Sequence, residues 1–142
     1  MPRLKTNTQI EVVVFKKTPE GLRYLMLHRV PARGGFWQPL TGGLEEGEQH
    51  LDTLKRELRE ETSLTEILAV VDPGYGFDFE DDGKILHEYV YGAEVSADSE
   101  VKLSHEHDEF RWVAKEPALT LLKYETNKIG LEKVAEQVEK KL

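Results

Sequence analysis

The feature that most constrains this chain is one continuous stretch, residues 42–64, which reads GGLEEGEQHLDTLKRELREETSL. It opens with a glycine pair, passes through an acidic turn and continues as an amphipathic segment over about residues 48–62. Leucines recur in that segment at i, i+3 and i+7, a spacing typical of one buried helical stripe: Leu51, Leu54 and Leu58. The stretch therefore predicts a glycine-rich loop followed by a helix that buries its leucine side.

Three glutamates lie beside the leucine stripe: Glu57, Glu60 and Glu61. At about 100° per residue, they fall within an arc of roughly 100° on the helix. Carboxylates this close repel one another unless a cation lies among them, and hard oxygen ligands suit Mg²⁺ or Mn²⁺. The spacing predicts a divalent metal site and phosphate chemistry. On these residues alone, a solvated charged helix face remains the alternative.

Length and charge limit the remaining possibilities. A chain of 142 residues predicts one domain over residues 1–142, with a substantial core. Its formal net charge of −8 and lack of a basic tract argue against nucleic acid as a partner. With no cysteine, no disulfide or thiolate chemistry is possible, and a reducing cytoplasm is the expected location. The first residues lack the apolar core of a signal peptide and no run is long enough for a membrane span, so no membrane partner is expected.

The rest of the chain alternates strand and helix patterns. Runs rich in β-branched and apolar residues predict strands over 8–15, 22–29, 64–72, 85–95 and 110–113. The first two are joined by a Pro-Glu-Gly turn and predict a hairpin. Pro117 is expected to open a short helix, and Thr126 to cap a final one. The order predicts a compact α/β domain.

The spacing of the central stretch matches a known family pattern. Gly42 is followed after five residues by Glu48, and after seven more by the run RELREETSL at 56–64. This resembles the Nudix box, G-x5-E-x7-R-E-U-x-E-E-x-G-U, in which U is a bulky apolar residue. Ser63 stands where the pattern has glycine. That departure concerns the helix end, where glycine eases a left-handed turn, rather than a proposed ligand.

The resemblance implies a fold and a reaction. The expected fold is a Nudix-type α/β/α sandwich with a mixed β-sheet, and the expected enzyme hydrolyses a nucleoside diphosphate linked to another group, with Mg²⁺ or Mn²⁺. Carried over by position, Glu57 and Glu61 become leading metal ligands, Glu60 becomes a ligand or base, and all three are catalytic candidates. A metal offsets polyphosphate charge and makes a bound water easier to deprotonate. Which glutamate acts as general base is left unassigned.

Three other positions of the box are expected to be structural. Gly42 lets the backbone approach a bulky group because it has no Cβ. Arg56 can reach Glu45 or Glu48 in the acidic turn, which would lock the loop to the helix. We therefore interpret Gly42, Glu48 and Arg56 as residues that hold the site together.

The sequences at 36–48 (FWQPLTGGLEEGE) and 104–113 (SHEHDEFRWV) look like those of the dihydroneopterin triphosphate and dATP pyrophosphohydrolase group. By that resemblance Glu106 would add a metal ligand from a loop. The residues expected to contact substrate are Lys5, Arg29, Thr41 and, because it directly precedes the metal loop, Trp37. For Arg29, a solvated charge at the end of a strand is the alternative.

Two further groups have competing interpretations. His105 and His107 could suggest zinc, but two histidines in a polar loop without a third partner are more often surface residues. Tyr75, Phe77 and Phe79 could stack on a ring, or could simply pack in the core.

Three functions therefore remain. The preferred one is a Mg²⁺-dependent pyrophosphohydrolase that converts a nucleoside or dihydroneopterin triphosphate to a monophosphate and pyrophosphate. The others are a hydrolase of dinucleoside polyphosphates or nucleotide sugars, and a Nudix ligand sensor without catalysis. The partner is expected to be a small nucleotide or pterin triphosphate, and the chain a monomer or homodimer.

Overall fold

The computed structural model describes residues 5–141, with Lys5 described by its backbone alone. Within these residues the chain forms eight strands and three α-helices. The strands are β1 (Lys5–Thr18), β2 (Gly21–Arg29), β3 (Trp37–Gln38), β4 (Leu40–Glu45), β5 (Ala69–Val71), β6 (Gly76–Asp81), β7 (Lys84–Glu94) and β8 (His107–Val113). The helices are α1 (His50–Thr62), α2 (Lys115–Leu121) and α3 (Glu125–Glu139).

Strand β1 is the centre of a mixed sheet. It runs parallel to β7, with Ile10 opposite Tyr89, and antiparallel to both β2 and β4. The remaining strands add antiparallel partners at the sides: β3 and β8 on β2, and β5 and β6 on β7. A parallel pair needs a long crossover, which the chain between β1 and β7 supplies.

The sheet is covered on both faces because residues along β1 alternate between two cores. Ile10, Val12 and Val14 belong to the core that contains Leu54 and Leu58 of α1. Val13 and Phe15 belong to the opposite core, to which α2 and α3 contribute; the helical members are Ala118, Leu131, Val134, Ala135 and Val138. The α/β/α sandwich predicted from the sequence is confirmed.

Several local predictions are wrong. Leu51 is 46% exposed, so only Leu54 and Leu58 of the expected stripe are buried. Leu51 lies in the first turn of α1, and the buried residues of the helix begin at Thr53. The expected strand over 64–72 is confined to Ala69–Val71, and the strand over 76–81 was not predicted. The final helix begins one residue before Thr126, with Tyr124 at its N-cap.

No helix in the part of the chain that the structure describes is both long and apolar enough to cross a membrane.

Candidate active site

The loop-helix unit formed by β4 and α1 depends on one close approach. A Cβ placed on Gly42 would lie 2.2 Å from the Cγ and Cδ atoms of Glu57. Because real Cβ contacts are never this short, glycine at this position lets the Glu57 side chain lie directly against strand β4. Helix α1 then ends at Ser63, which adopts a left-handed conformation with φ of 65°. Its N–H donates to Arg59 O at 2.9 Å, and its Oγ donates to Lys102 O at 3.1 Å.

Arg56 joins the loop to the helix. Its Nε donates to Glu48 Oε2 at 2.7 Å, and its Nη2 donates to Glu48 Oε1 at 3.0 Å and to Gly43 O at 2.8 Å. These are the contacts expected of a locking residue, with Glu48 rather than Glu45 as the main partner. Hydrogen bonding to Arg56 lowers the pKa of Glu48 to about 2, and the same hydrogen bonds raise the pKa of Arg56.

The same guanidinium also reaches two of the predicted metal ligands. Its Nη1 donates to Glu57 Oε1 at 2.8 Å and to Glu60 Oε2 at 3.2 Å. Glu57 is 7% exposed, whereas the Glu60 side chain is 48% exposed. One arginine therefore offsets the repulsion among carboxylates that the sequence pattern implies, and the glutamates are not a simple solvated face.

Glu61 lies one turn after Glu57 and is held from the other side. Its Oε2 accepts a hydrogen bond from Ser104 Oγ at 2.7 Å and lies 3.1 Å from His107 Nδ1. Burial by itself would raise the pKa of Glu61, but hydrogen bonds with His107, Ser104 and Glu106 lower it to about 2. Glu61 is therefore an ionised carboxylate in a buried position, with an exposed fraction of 7%.

Glu106 comes to this place from the loop before β8. Its backbone N–H donates to Ser104 Oγ at 3.2 Å, the same hydroxyl that donates to Glu61, and its Oε1 lies 3.0 Å from Arg33 Nη2. The fold therefore brings Glu106 next to a helix that is more than forty residues away in sequence. Of the four predicted ligands, Glu57 and Glu61 are buried residues of α1, Glu60 is on its exposed side, and Glu106 comes from the loop before β8.

The donor chemistry of this set fits a divalent cation, because the available ligands are glutamate oxygens and two of the glutamates, Glu57 and Glu61, are buried. Among residues 5–141, no three His, Asp or Glu side chains converge as a preformed metal cage. Arg56 and Arg33 instead hold the carboxylates. Glu57, Glu61 and Glu106, with Glu60 beside them, are the residues that would hold the ion.

The prediction that both loop histidines are surface residues is wrong for His107. His105 is exposed, but His107 is 7% exposed and lies between Glu61 and Gln38. Its Nε2 is 3.2 Å from Gln38 Nε2, and its Nδ1 faces Glu61. The H-x-H pattern does not show which of the two histidines is buried. That is decided by the place of His107 at the start of β8, where successive side chains alternate between faces.

A cavity of about 650 Å³ opens beside β4, in the size range of ligand sites. Arg29 and Thr41 line it, as the resemblance implied. Among the described residues, Arg29 Nε is buried and has no hydrogen-bond partner. The side chain of Lys5 lies outside the described part of the chain.

Trp37 is not among the residues that line the cavity, and its predicted contact with substrate stays a prediction. Its ring lies 4.7 Å from the guanidinium carbon of Arg111 and 5.0 Å from the His28 ring. Neighbouring residues in a strand point to opposite faces, so Phe36 and Gln38 line the cavity while Trp37 turns away.

Several cavity residues were missed by sequence reasoning. Phe77 and Phe79, considered above as ring-stacking residues, do line the cavity, whereas Tyr75 packs against the α3 core. Five of the lining residues that no local pattern indicated are Gln9, Phe36, Glu88, Tyr124 and Asn127. They come from four separate parts of the chain, so only the fold brings them together.

Comparison with known proteins agrees with this geometry. The model of the NUDIX domain matches residues 7–134. An octanoyltransferase from Myxococcus xanthus is 36% identical over 118 residues, and the match covers 82% of this chain but only 33% of that protein. The chain thus spans about a third of the length of that curated relative.

Two further proteins match over most of their length. Dihydroneopterin triphosphate diphosphatase from Escherichia coli K12 is 29% identical over 140 residues, covering 90% of this chain and 91% of the relative. A Listeria monocytogenes structure assigned as a NUDIX hydrolase has a TM-score of 0.82 and 29% identity, covering 94% of this chain and 95% of its own. This chain belongs to the Nudix hydrolase family, whose members act on nucleoside diphosphates linked to other groups.

Proposed function

We propose that this chain is a pyrophosphohydrolase, dependent on Mg²⁺ or Mn²⁺, that converts a nucleoside or dihydroneopterin triphosphate to a monophosphate and pyrophosphate. The observation that carries the proposal is the chain of contacts that links a ligand-sized cavity to the buried Glu61 carboxylate. Gln38 lines the cavity, its Nε2 lies 3.2 Å from His107 Nε2, and His107 Nδ1 lies 3.1 Å from Glu61 Oε2. A ring bound in the cavity would therefore have its phosphates close to Glu57 and Glu61.

Arg29 supports binding of an anionic substrate. Its guanidinium lies 5.5 Å above the Phe36 ring, and its buried Nε lacks a hydrogen-bond partner among the described residues. A buried donor without a partner is costly, and a phosphate oxygen would satisfy it. This favours a phosphate contact over the alternative of a solvated charge at the strand end.

The glutamates divide the remaining work according to their surroundings. Glu57 and Glu61 are buried and held by Arg56, Ser104 and His107, so they suit the holding of a divalent cation. Such a cation, when bound, offsets phosphate charge and makes a water molecule more acidic. Glu60 is half exposed, and among the described residues its side chain accepts one hydrogen bond, from Arg56 Nη1 at 3.2 Å, so we propose it as the member of the set best placed to accept a proton. Arg56 lies between Glu57 and Glu60 and fixes the preceding loop through Glu48 and Gly43.

Product analysis tests the proposal. With Mg²⁺, we would offer nucleoside triphosphates, dihydroneopterin triphosphate, diadenosine tetraphosphate and ADP-ribose, and identify products by ion-exchange chromatography. Pyrophosphate and a monophosphate from a triphosphate would support it. Cleavage confined to the dinucleotide or the sugar nucleotide would overturn the substrate assignment in favour of the second candidate. Ligand binding without turnover, in both Mg²⁺ and Mn²⁺, would instead support a sensor.

A further inference from the structure

The inner end of the cavity contains a second group of acidic side chains, separate from the glutamates of α1. Glu88 of β7 is 4% exposed and lines the cavity, and Glu11 of β1 lies behind it with no exposed surface. Gln9 and Asn127 lie beside them and also line the cavity. We call these four residues the acid-amide floor.

Hydrogen bonds fix the orientation of the two amides. Gln9 Nε2 donates to Glu88 Oε1, and Asn127 Nδ2 donates to Glu11 Oε1. Because the nitrogens face the carboxyls, the carbonyl oxygens of both amides are left to face other groups. Gly130 of α3 is part of the same arrangement, since a Cβ there would lie 2.3 Å from Glu11 Oε2.

The surroundings of the two carboxyls favour one proton shared between them. Glu11 Oε2 is buried and receives no N–H or hydroxyl donor from the described residues, and the neighbouring carboxyl is that of Glu88. Burial raises the pKa of Glu11 well above its ordinary value, with a further contribution from the Glu88 charge, and burial raises the pKa of Glu88 too. A pair with one proton still carries one negative charge, so the floor presents mainly acceptors to the cavity.

Aromatic residues complete a site for a flat ring. Phe36, Phe77, Phe79 and Tyr124 line the same cavity, and Phe36 and Tyr124 meet edge to face with centroids 5.5 Å apart. Aromatic walls bind any planar ring by stacking and do not discriminate among bases. Discrimination therefore falls to the polar groups of the floor.

We propose that the acid-amide floor selects rings that carry a ring N–H next to an exocyclic amino group, the edge shared by guanine and pterins. That edge offers adjacent donors to the Glu88 carboxylate and the amide oxygens. Adenine and cytosine each place a ring nitrogen acceptor next to the amino group, and uracil has one N–H between two carbonyls, so each would set acceptor against acceptor. This inference rests on the proposed function, because it names the substrate class of the same enzyme.

The test compares kcat/KM for GTP, ATP, CTP, UTP and dihydroneopterin triphosphate in three proteins. Wild type should prefer the guanine and pterin substrates by about tenfold or more, because sites built to bind N–H groups strongly reject analogues that lack them. Glu88→Gln replaces the two acceptor oxygens of the carboxylate by one acceptor and one donor. It should therefore lower the preference for guanine and pterin substrates at least about tenfold and improve the relative rate with ATP. Glu66→Gln makes the same charge change at an exposed position that does not line the cavity, and it should leave the ratio unchanged.

A binding measurement separates this inference from the proposed function. Isothermal titration with GMP, AMP and neopterin needs neither turnover nor a metal ion. Tighter binding of GMP and neopterin than of AMP, lost in Glu88→Gln, would support the floor as a selector even if no triphosphate were hydrolysed. Hydrolysis of all triphosphates at similar kcat/KM would overturn the inference and leave the proposed function standing.

A second variant guards against misfolding of Glu88→Gln. Gln9→Met keeps the side-chain length at a half-buried position and removes one acceptor. It should also lower the preference for guanine and pterin rings over adenine. If both variants fold, as shown by circular dichroism, and both keep the wild-type preference, the inference is wrong. If the preference is lost as expected, the ratio of kcat/KM for GTP to kcat/KM for dihydroneopterin triphosphate in the wild type shows which of the two rings fits better.

Discussion

Two groups of buried carboxylates in this protein have opposite ionisation behaviour. Around α1, Glu48 and Glu61 are buried and yet have pKa values lowered to about 2. In the acid-amide floor, Glu11 and Glu88 are buried and have raised pKa values. The difference lies in the donors: Arg56, His107 and Ser104 serve the first group, whereas the second has two amides and another carboxyl. Burial alone therefore does not decide whether a carboxyl is charged.

The contrast suits two different tasks. Ionised carboxylates near the surface of α1 can hold a cation, whereas a proton-sharing pair beneath a cavity can offer directional hydrogen bonds to a neutral ring. The following substitutions test whether the two groups differ in the way that their surroundings imply.

The largest effect is expected from Glu57→Gln and Glu61→Gln. Each should lower kcat by about a hundredfold or more, because each removes an anionic ligand from the proposed cation site. Steady-state rates at saturating Mg²⁺ would measure this, with Glu66→Gln, an exposed position outside both groups, as the control. Near-wild-type rates in Glu61→Gln would remove that residue from the site. The fractional loss should be much larger than in Glu11→Gln, which leaves the cation site intact.

Arg56→Met should have the largest effect on stability. It leaves the Glu48 and Glu57 carboxylates without the guanidinium that pairs with them. Removing one partner of a buried ion pair costs about 3–5 kcal/mol of folding stability. The free energy of unfolding from urea titration measures the loss. Arg59→Met, which changes an exposed arginine on the same helix, is the matched control and should cost well under 1 kcal/mol. Equal losses in the two variants would show that the Arg56 network is not a structural lock.

Glu11→Gln should change the pH dependence of stability. Because the pKa of Glu11 is raised in the folded protein, the folded state binds more protons than the unfolded state above about pH 4.5, so stability is lost as pH rises. A glutamine imitates the protonated acid at every pH. The melting temperature of the variant should match wild type near pH 4.5 and exceed it at pH 8. A constant difference between the two proteins at both pH values would contradict the shared proton.

The pH dependence of stability has the opposite sign for the carboxylates around α1. The pKa of Glu48 is lowered to about 2, so its contribution to stability is present above about pH 4.5 and is lost as pH falls toward 2. Glu48→Gln should therefore destabilise the protein at pH 7 and have less effect near pH 2. Melting curves at those two pH values would measure it. A larger effect in acid than at neutral pH would refute the assignment.

The smallest effect is expected from Ser63→Gly, which restores the residue of the family pattern. Glycine removes the strain of a left-handed conformation, about 1 kcal/mol, but it also removes the hydrogen bond from Ser63 Oγ to Lys102 O, which contributes a similar amount. Stability should change by less than about 0.5 kcal/mol and activity should not change. A marked gain in stability would show that the serine hydroxyl contributes little.

The glutamates of α1 could be predicted because their chemistry is written at fixed short spacings within one helix. Gly42, Glu48 and Arg56 are part of the same local pattern, and the structure contains the contacts that their residue types suggest. The surroundings of Trp37 could not be predicted, because a position just before the loop does not show which face of the strand the ring occupies. His107 was missed for the same reason, since only pairing with β2 buries it beside Glu61.

By itself, the sequence determined the α/β/α class, the loop-helix unit over residues 42–64, the density of carboxylates on α1 and the Nudix resemblance. Only the tertiary structure decided what surrounds each carboxyl. Glu11 and Glu88 meet because β1 and β7 are parallel neighbours, and Asn127 joins them because α3 crosses that face at Gly130. Local spacing fixes which residues share one face of a helix, whereas the charge on a buried group depends on donors and charges that distant segments bring to it.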